Sequence, residues 1–322
     1  MKKIAVFTSG GDSPGMNACI RAVVRSGIYR GLEVVGIMHG YEGMIEGKFI
    51  PMKSESVSGI IQHGGTILKT ARSKRFMTPE GMMKAFENLQ KENIDGVVAI
   101  GGDGTFRGAV DFNKNYEIPF MGIPGTIDND LAGTDYTLGF DTAINTVVEA
   151  VDKIRDTAAS HDRLFFVEVM GRDAGSIALL SGISVGAEAI LIPETKTHVD
   201  KLIKTLERGW HRNKTSMIVI VAEGDEEGGA YQLAEKVNKQ FASIETRVTV
   251  LGHIQRGGNP TCNDRVLASR LGVAAVEALL GGRKQEMVGL VNNEIAFTPF
   301  SNAVKEHIIN QNLLRIAEIL AM

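Results

Sequence analysis

Short runs of β-branched and apolar residues alternate with amphipathic stretches along the whole of this 322-residue chain. The apolar runs predict buried, parallel strands at 4–8, 33–38, 95–102, 118–124, 164–170, 216–224 and 286–291. Between them, the spacing of apolar residues predicts helices at 17–30, 79–92, 139–158, 198–211, 229–241 and 263–280. Because this alternation is typical of parallel sheets joined by helices and the chain is about twice the usual domain length, we expect an α/β fold with two doubly wound, Rossmann-like domains.

Charge and composition exclude several classes of protein. The net charge is -3 and charges of both signs are mixed along the chain, so we expect no nucleic acid and no membrane as partner. The amino-terminal apolar run is too short for a signal peptide, and no later run approaches membrane-spanning length, so we expect a cytoplasmic protein. Cys19 and Cys262 lie far apart in the sequence, and we expect both to be packing thiols.

Two predicted strands end in glycine-rich loops, where ligands of doubly wound sheets bind. Residues 9–17 (SGGDSPGMN) precede a helix, a layout that lets backbone amides approach a phosphate, with a plain turn as the alternative. Residues 101–105 (GGDGT) place Asp103 among glycines. Its carboxylate suits Mg²⁺ or, alternatively, caps the next helix.

A third loop, residues 124–130 (PGTIDND), carries two carboxylates beside a hydroxyl. If the segment is extended, Asp128 and Asp130 project the same way. One carboxylate could then take a proton from an attacking hydroxyl while the other holds metal or orients the first. An ordinary Asx-turn pair is the alternative.

Polar clusters follow three further strands, at 170–173 (MGRD), 223–224 (EG) and 253–258 (HIQRGG). Arginine offers a planar fork for phosphate oxygens, and glutamate and histidine suit sugar hydroxyls. Any one of these residues alone could be a surface or capping residue. Six such loops at strand ends together predict a site for phosphoryl transfer to a sugar phosphate, with one carboxylate of the 124–130 loop as the base.

The motifs SGGDSPGMN, GGDGT, PGTIDND, VEVMGRDAG and GHIQRGG, in this order and spacing, resemble the bacterial ATP-dependent 6-phosphofructokinase family. The resemblance is strong to about residue 280 and implies transfer from ATP to the 1-hydroxyl of fructose 6-phosphate, the committed step of glycolysis. It implies a larger ATP-binding domain (1–138 plus 252–301) and a smaller fructose 6-phosphate-binding domain (139–251 plus 302–322).

The resemblance also implies site residues by motif position. The catalytic set would be Asp128, Arg72, Thr126, Asp130 and Arg172. The nucleotide set would be Gly11, Arg72, Ser73, Gly102, Asp103, Gly104 and Thr105, with Mg²⁺ on Asp103. The sugar phosphate set would be Thr126, Ile127, Asp128, Arg163, Met170, Gly171, Arg172, Glu223, Arg247, His253, Ile254, Gln255 and Arg256. Arg163 and Arg247 would serve a neighbouring subunit, so the resemblance implies a homotetramer with shared active sites.

Departures from the family pattern bear on the nucleotide and on regulation. Ser73 stands where an aromatic or other apolar residue is usual, near the adenosine contact. The resemblance implies an effector site for ADP or phosphoenolpyruvate, whose ring of basic residues is matched by Arg21, Arg25, Arg155, Arg212 and Lys214. Its metal and ribose side is matched by Gly186 and Glu188. Basic residues usual in that site are replaced by Ser54, Thr215 and Ser216, so we expect a weakened effector response.

Three alternatives remain open at this stage. Pyrophosphate-using relatives usually carry Asp at position 104 and Lys at position 125, whereas Gly104 and Gly125 favour ATP here. A kinase of tagatose 6-phosphate or sedoheptulose 7-phosphate would carry the same phosphate-binding arginines. A silent nucleotide or sugar phosphate sensor would have no need of Thr126, Asp128 and Asp130.

Overall fold

The chain folds into two compact units. The structure is a computed structural model that describes residues 1–212, 214, 216–240, 244–305 and 309–321. Unit 1 contains Met1–Ile127, Leu131–Thr142 and Arg256–Glu306, and unit 2 contains Asp128–Asp130, Ala143–Gln255 and His307–Met322. Thr215, which the sequence placed in the effector site, lies outside the described residues.

The strands and helices alternate along most of the chain. The strands are β1 (Lys3–Thr8), β2 (Glu33–Ile37), β3 (Phe49–Met52), β4 (Gly96–Gly101), β5 (Phe120–Pro124), β6 (Arg163–Val169), β7 (Ala189–Leu191), β8 (Ser216–Ala222), β9 (Glu245–Val250), β10 (Glu286–Val291) and β11 (Glu294–Pro299). The helices are α1 (Met16–Tyr29), α2 (Gly40–Glu46), α3 (Pro79–Lys91), α4 (Asp103–Asn113), α5 (Phe140–Ala159), α6 (Ser176–Ser184), α7 (Val199–His211), α8 (Gly229–Gln240), α9 (Cys262–Leu280) and α10 (Gln311–Leu320). Short 3-10 turns lie at Glu55–Val57, Arg75–Met77 and Gly252–Arg256.

Unit 1 is built on a seven-stranded sheet in the order β11-β10-β5-β4-β1-β2-β3. The five inner strands pair in parallel, and the two edge strands, β3 and β11, pair antiparallel with β2 and β10. All of the predicted strand runs in this unit form strands, which confirms the α/β prediction. The edge strands were not predicted, because β3 is only four residues long and contains a proline, and β11 is partly exposed and mixes polar with apolar residues.

The two faces of this sheet are covered by different helices. Along β1, Ile4 and Val6 pack in a core with α1 and α9, whereas Ala5 and Phe7 pack with α2, α3 and α4 on the other face. Successive side chains of a strand point to opposite faces, so a continuous apolar run is what a sheet covered on both sides requires. The loops at the carboxyl ends of β1, β4 and β5 are thereby fixed on a rigid support.

Unit 2 is built on a four-stranded parallel sheet in the order β7-β8-β6-β9. Phe166 of β6 and Val219 of β8 pack against Leu206 of α7 and Leu233 of α8 in a buried cluster. Helix α10 packs against α6. Both units are therefore α/β, as the sequence predicts.

The chain changes unit at 127/128, 130/131, 142/143, 255/256 and 306/307. The ATP-binding and fructose 6-phosphate-binding domains implied by the resemblance, with changes at 138/139, 251/252 and 301/302, stay a prediction. Near the boundary at 142/143 the backbone amides of Gly139 and Thr142 both donate to the Asp264 carboxylate, at 2.8 Å each. These bonds hold the first turn of α5 in unit 1. Near the last boundary, Leu131 and Lys305 form an antiparallel bridge within unit 1.

The two cysteines differ in environment. Cys19 on α1 is buried, as predicted. Cys262 is exposed, because it is the first residue of α9 and lies on the surface there, so its prediction as a packing thiol is wrong. Among the described residues, none of the helices has the length and apolar character needed to span a membrane.

Candidate active site

The first glycine-rich loop of unit 1 connects β1 to α1. Gly10 and Gly15 have φ of 85° and 99°, a left-handed backbone that glycine adopts without strain. A Cβ at Gly11 would lie 2.7 Å from an Arg256 guanidinium nitrogen, and Arg256 also donates to the Asp12 carbonyl at 3.3 Å. Glycine at position 11 therefore lets a cation lie directly against the loop.

The second glycine-rich loop leads from β4 into α4. Gly102 is the residue before the helix and makes no side-chain cap, and its carbonyl accepts a hydrogen bond from the Thr105 amide at 2.9 Å. The turn of Asp103 and Gly104 therefore presents its backbone at a helix amino terminus. Asp103 is the first residue of α4 and does not cap it. Its Oδ1 accepts a hydrogen bond from Arg107 Nε at 2.9 Å, and 12% of its side chain is exposed to solvent.

Arg72 and Ser73 lie in an ordered segment of unit 1. The Arg72 side chain is exposed, as the charge-neutralising role implied by the resemblance requires. The Ser73 hydroxyl donates to Glu42 Oε2 at 2.5 Å and accepts from the Phe76 amide at 3.0 Å. Thus Ser73 has internal partners at the position where an adenosine contact was predicted.

The loop after β5 carries Thr126 and Ile127 at the end of unit 1. Ile127 is fully buried, and the Thr126 carbonyl accepts a hydrogen bond from the Thr137 hydroxyl at 2.6 Å. A Cβ placed on Gly102 would come within 3.9 Å of Thr126 Cβ. The structure therefore brings the two predicted loops, 102–105 and 124–127, next to each other.

Asp128 and Asp130 are both buried in unit 2. The segment is not extended, because Asn129 between them adopts a left-handed φ of 51°. The Arg172 guanidinium Nε lies 3.8 Å from Asp128 Oδ2. A buried carboxylate thus faces a half-exposed arginine.

The backbone that carries Arg172 is fixed by Glu223. Its Oε1 accepts from the amides of Arg172 at 2.8 Å and Gly171 at 3.3 Å. A Cβ at Gly224 would lie 1.9 Å from the Arg172 carbonyl oxygen, so only glycine permits this approach. Arg172 itself has a φ of 52°, which is uncommon for a residue with a side chain. Glu223 therefore acts on the loop geometry as well as standing in the predicted substrate set.

Gln255 connects two other predicted substrate segments. It is fully buried, and its Oε1 accepts from the Met170 amide at 3.2 Å while its Nε2 donates to the Gly252 carbonyl at 3.0 Å. His253 and Ile254 are exposed on the same short turn. Gln255 is thus a support for Met170 and for the turn that presents His253.

Arg163 and Arg247 lie on the neighbouring strands β6 and β9. Both guanidinium groups contact the Glu245 carboxylate, with 2.7 Å from Arg163 Nε to Glu245 Oε2. The hydrogen bond from Arg163 is the main cause of a lowered pKa of Glu245, with a charge contribution from Arg247. The two arginines that the resemblance assigns to a neighbouring subunit therefore form one cluster at the edge strand of unit 2.

The predicted effector residues fall in both units. Arg21 and Arg25 lie one turn apart on α1 of unit 1, and Ser54 precedes a 3-10 turn there. In unit 2, Lys214 Nζ lies 3.2 Å from the buried carboxylate of Glu188, and Arg155 donates to the Val185 carbonyl beside Gly186. Arg212 is exposed, and Ser216 begins β8. The charge of Lys214 is thus already partly balanced within the protein.

Sequence reasoning missed Glu42, Arg107 and Glu245. Each contacts a predicted site residue, but none belongs to a glycine-rich or carboxylate motif. Of the three, only the Arg107 contact could have been predicted from the sequence, because Arg107 follows Asp103 by four residues and residues at this spacing lie on the same face of a helix. The other two contacts join residues far apart in the chain or on adjacent strands.

The sequence was compared with known families and proteins. It matches the family described as Phosphofructokinase over residues 3–279. It is 57% identical over 323 residues to ATP-dependent 6-phosphofructokinase 1 of Thermus thermophilus, covering 100% of both chains. It is 56% identical over 319 residues to ATP-dependent 6-phosphofructokinase of Cytophaga hutchinsonii, covering 99% of this chain and 97% of that protein.

The fold was compared with solved structures. Phosphofructokinase from Saccharomyces cerevisiae matches with a TM-score of 0.89 and 36% identity, over 99% of this chain and 46% of the yeast chain. Three comparisons point to the same family: the family match over most of the chain, the sequence identity to full-length relatives, and the structural similarity to the yeast enzyme. The loops around Gly11, Asp103 and Asp128 are consistent with it. The chain belongs to the phosphofructokinase family.

Proposed function

We propose that the chain is an ATP-dependent 6-phosphofructokinase, which transfers the γ-phosphoryl group of ATP to the 1-hydroxyl of fructose 6-phosphate. The products are fructose 1,6-bisphosphate and ADP. Relatives more than half identical over their full length carry the name of that enzyme. The structural observation that carries the proposal is the buried Asp128 carboxylate, 3.8 Å from the Arg172 guanidinium.

Asp128 is the proposed general base. In its ionised form the carboxylate can accept the proton of the 1-hydroxyl as that oxygen attacks phosphorus, and the positive charge of Arg172 lies beside it. Glu223 holds the Arg172 backbone through two amide hydrogen bonds, so the guanidinium starts from a fixed point. Positioning of this kind is most of what phosphoryl transfer requires from a protein.

The nucleotide phosphates are proposed to bind the loops around Gly11 and 102–105 of unit 1, with Arg72 neutralising charge on the transferred group. Asp103 fits a magnesium site, because Mg²⁺ prefers one or two carboxylates together with phosphate oxygens and waters. Within the described residues, no group of three or more His, Cys, Asp or Glu side chains could hold a metal ion by itself. When bound, Mg²⁺ would neutralise phosphate charge.

The choice of ATP over pyrophosphate is supported at two glycines. A Cβ at Gly104 would meet no atom within 4 Å, so the absence of a side chain leaves open space beside Asp103. A Cβ at Gly125 would lie 3.1 Å from both Ile100 and Met16, so the lysine usual in pyrophosphate-using relatives would need its neighbours to move. The names of the relatives, ATP-dependent 6-phosphofructokinases, also favour ATP over pyrophosphate as the donor.

The remaining assignments extend this proposal. Unit 1 would hold ATP. The residues assigned to the sugar phosphate would come mostly from unit 2, with Asp130, Met170, Gly171, His253, Ile254 and Gln255, and the others assigned to it, Thr126, Ile127 and Arg256, belong to unit 1. Arg163 and Arg247 would complete the sites of a neighbouring subunit in a homotetramer. An ADP or phosphoenolpyruvate effector response would survive in weakened form, since Lys214 is engaged by Glu188. A cytoplasmic location is part of the same proposal.

The test is an assay of the purified protein with ATP or pyrophosphate as donor and a panel of sugar phosphates as acceptors. Fructose 6-phosphate with ATP should give the highest kcat/KM. Turnover with pyrophosphate alone would replace the ATP proposal, and a higher kcat/KM with tagatose 6-phosphate or sedoheptulose 7-phosphate would replace the acceptor. Binding without turnover would leave only a sensor.

Substitution Asp128→Asn tests the base directly. The amide cannot accept the hydroxyl proton, so we expect kcat to fall by roughly 10²–10⁴-fold, with fructose 6-phosphate binding close to normal. Initial rates and calorimetric titration of the sugar phosphate measure the two effects. A kcat near that of the unchanged enzyme would remove Asp128 from the mechanism.

A further inference from the structure

The segment that carries Arg72, residues 70–76, is fixed to the rest of unit 1 on both sides of the arginine. On one side, the Thr70 hydroxyl donates to the Gly10 carbonyl at 2.7 Å. On the other side, the Ser73 hydroxyl donates to Glu42 at 2.5 Å and accepts from the Phe76 amide. The backbone around Arg72 is therefore restrained although the side chain is exposed.

Glu42 uses both of its carboxylate oxygens on this segment. Oε2 accepts from Ser73, and Oε1 accepts from Arg75 at 2.5 Å. The Glu42 side chain is only 23% exposed, whereas the nearby Glu46 reaches Arg75 only at 3.7 Å. Hydrogen bonds to a charged acceptor are stronger than neutral ones, so Glu42 is the main restraint on this side.

The helix that carries Glu42 is itself fixed to the predicted nucleotide loop. The hydroxyl of Tyr41 donates to the Thr105 carbonyl at 2.6 Å, and its ring stacks on Phe76 at 3.9 Å between centroids. Tyr41 is buried. One turn of α2 therefore holds the Arg72 segment and the start of α4 in a fixed relation.

We infer that Glu42 is a positioning residue for phosphoryl transfer, which acts by holding Ser73 and Arg75 so that Arg72 stays directed at the phosphates. The inference rests on the proposed function. Ser73 then serves as a link in this network rather than as an adenosine contact. Restraint on a loop matters because a displacement of about 1 Å at a charge-neutralising group can cost roughly 10²-fold in rate.

The first experiment compares Glu42→Ala with the matched control Glu46→Ala, one turn further along the same helix. Glu42→Ala should lower kcat by roughly 10-fold to 10²-fold with KM for fructose 6-phosphate changed less than about twofold, whereas the control should keep its kcat. Glu42→Gln retains an oxygen for Ser73 and should recover part of the loss. An unchanged kcat in Glu42→Ala would overturn the inference.

A double-mutant cycle separates positioning from a general loss of structure. In an Arg72→Ala background, Glu42→Ala should lower kcat by less than about twofold, because the group that it positions is already absent. Full, multiplicative loss in that background would overturn the inference.

Trypsin provides a readout that does not depend on activity, since Arg72, Lys74 and Arg75 are exposed. Glu42→Ala should raise the rate of cleavage at these bonds by about fivefold or more relative to Glu46→Ala, because local opening of the segment becomes easier. An equal cleavage rate would overturn the inference. Glu42→Ala could raise the cleavage rate while the unchanged protein has no activity with any donor. That result would refute only the proposed function, because Glu42 would still restrain the segment.

Discussion

Arg107 stands one helical turn after Asp103 and donates to the carboxylate that we propose as the magnesium ligand. The Arg107 side chain is 66% exposed and the Asp103 side chain 12% exposed, so solvent reaches the pair mainly on the arginine side. Such pairs at this spacing stabilise a helix by about 0.3–0.5 kcal/mol. A bound metal can displace Arg107 from Asp103 because the ion pair is this weak. The free energy of the pair is then lost, which weakens metal binding by the same amount.

We therefore expect Arg107→Gln to lower the Mg²⁺ concentration needed for half-maximal binding of a non-hydrolysable ATP analogue by about twofold, which corresponds to the free energy of one such pair. Calorimetric titration of Mg²⁺ at a fixed analogue concentration measures this. Lys114→Gln is the control, because it removes the equivalent exposed pair with Asp111 further along α4. A higher Mg²⁺ requirement in Arg107→Gln would show that the arginine assists binding.

Several helices of this protein begin at a carboxylate that belongs to another part of the chain. Glu194 accepts from the Gly175 amide before α6, and Glu168 of β6 accepts from the Ala230 amide in α8. At α5, Asp264 accepts from the amides of Gly139 and Thr142 and from the Thr142 hydroxyl. Each contact satisfies amides that a helix cannot pair internally and places negative charge at its positive end.

Substitution Asp264→Asn tests the importance of such a contact. The amide nitrogen cannot accept from Thr142, so a buried donor loses its partner and the free energy of unfolding should fall by about 1–3 kcal/mol. Urea unfolding measures the change, and Asp111→Asn on the surface of α4 is the control. Equal stability of the two variants would contradict the importance of this cap.

The same variant has a pH signature. Burial raises the pKa of Asp264 above its ordinary value, although hydrogen bonds from Thr142 and Gly139 oppose this. The folded protein then holds the proton more tightly than the unfolded chain, so the free energy of unfolding falls as pH rises from the ordinary aspartate value through the raised one. The stability difference between the unchanged protein and Asp264→Asn should shrink over that window. A difference that grows with pH would contradict the raised pKa.

For the whole molecule, the proposed tetramer makes a prediction about mixed oligomers. If Arg163 serves a neighbouring subunit, an oligomer that mixes Asp128→Asn chains with Arg163→Ala chains contains some intact active sites. In those sites the Arg163→Ala chain supplies Asp128 and the Asp128→Asn chain supplies Arg163. Co-expression should then give activity about tenfold or more above either variant alone, because the loss of the base alone costs roughly 10²-fold or more. Steady-state rates of the purified mixture, with its composition checked by mass spectrometry, measure the recovery.

The control for this experiment is a mixture of Asp128→Asn and Arg172→Ala chains. Asp128 and Arg172 contact each other within one unit of one chain, so no intact site can form from these two variants. Recovery in the control would show that activity has another source. Failure of the first mixture, with both chains present in the same oligomer, would mean that Arg163 serves its own chain.

The sequence by itself determined the α/β class, most of the parallel strands and the loops that carry Asp103, Asp128 and Arg172; β7 and β9 were absent from the predicted strand runs. It could do so because the burial of a strand on both faces requires a continuous apolar run, and because a loop at a close backbone approach requires glycine. Both requirements fall on residues that are adjacent in the chain, so a short stretch of sequence is enough to reveal them. The order of the motifs then sufficed to indicate the family.

The tertiary structure alone decided which side chains meet. Asn129 adopts a left-handed conformation, Lys214 forms an ion pair with Glu188, and the Ser73 hydroxyl donates a hydrogen bond to Glu42. The first turn of α5 is also held in unit 1, through the hydrogen bond from the Thr142 amide to Asp264. The partners in these pairs lie far apart in the chain, and their meeting depends on the packing of whole elements, which no local pattern of residues records.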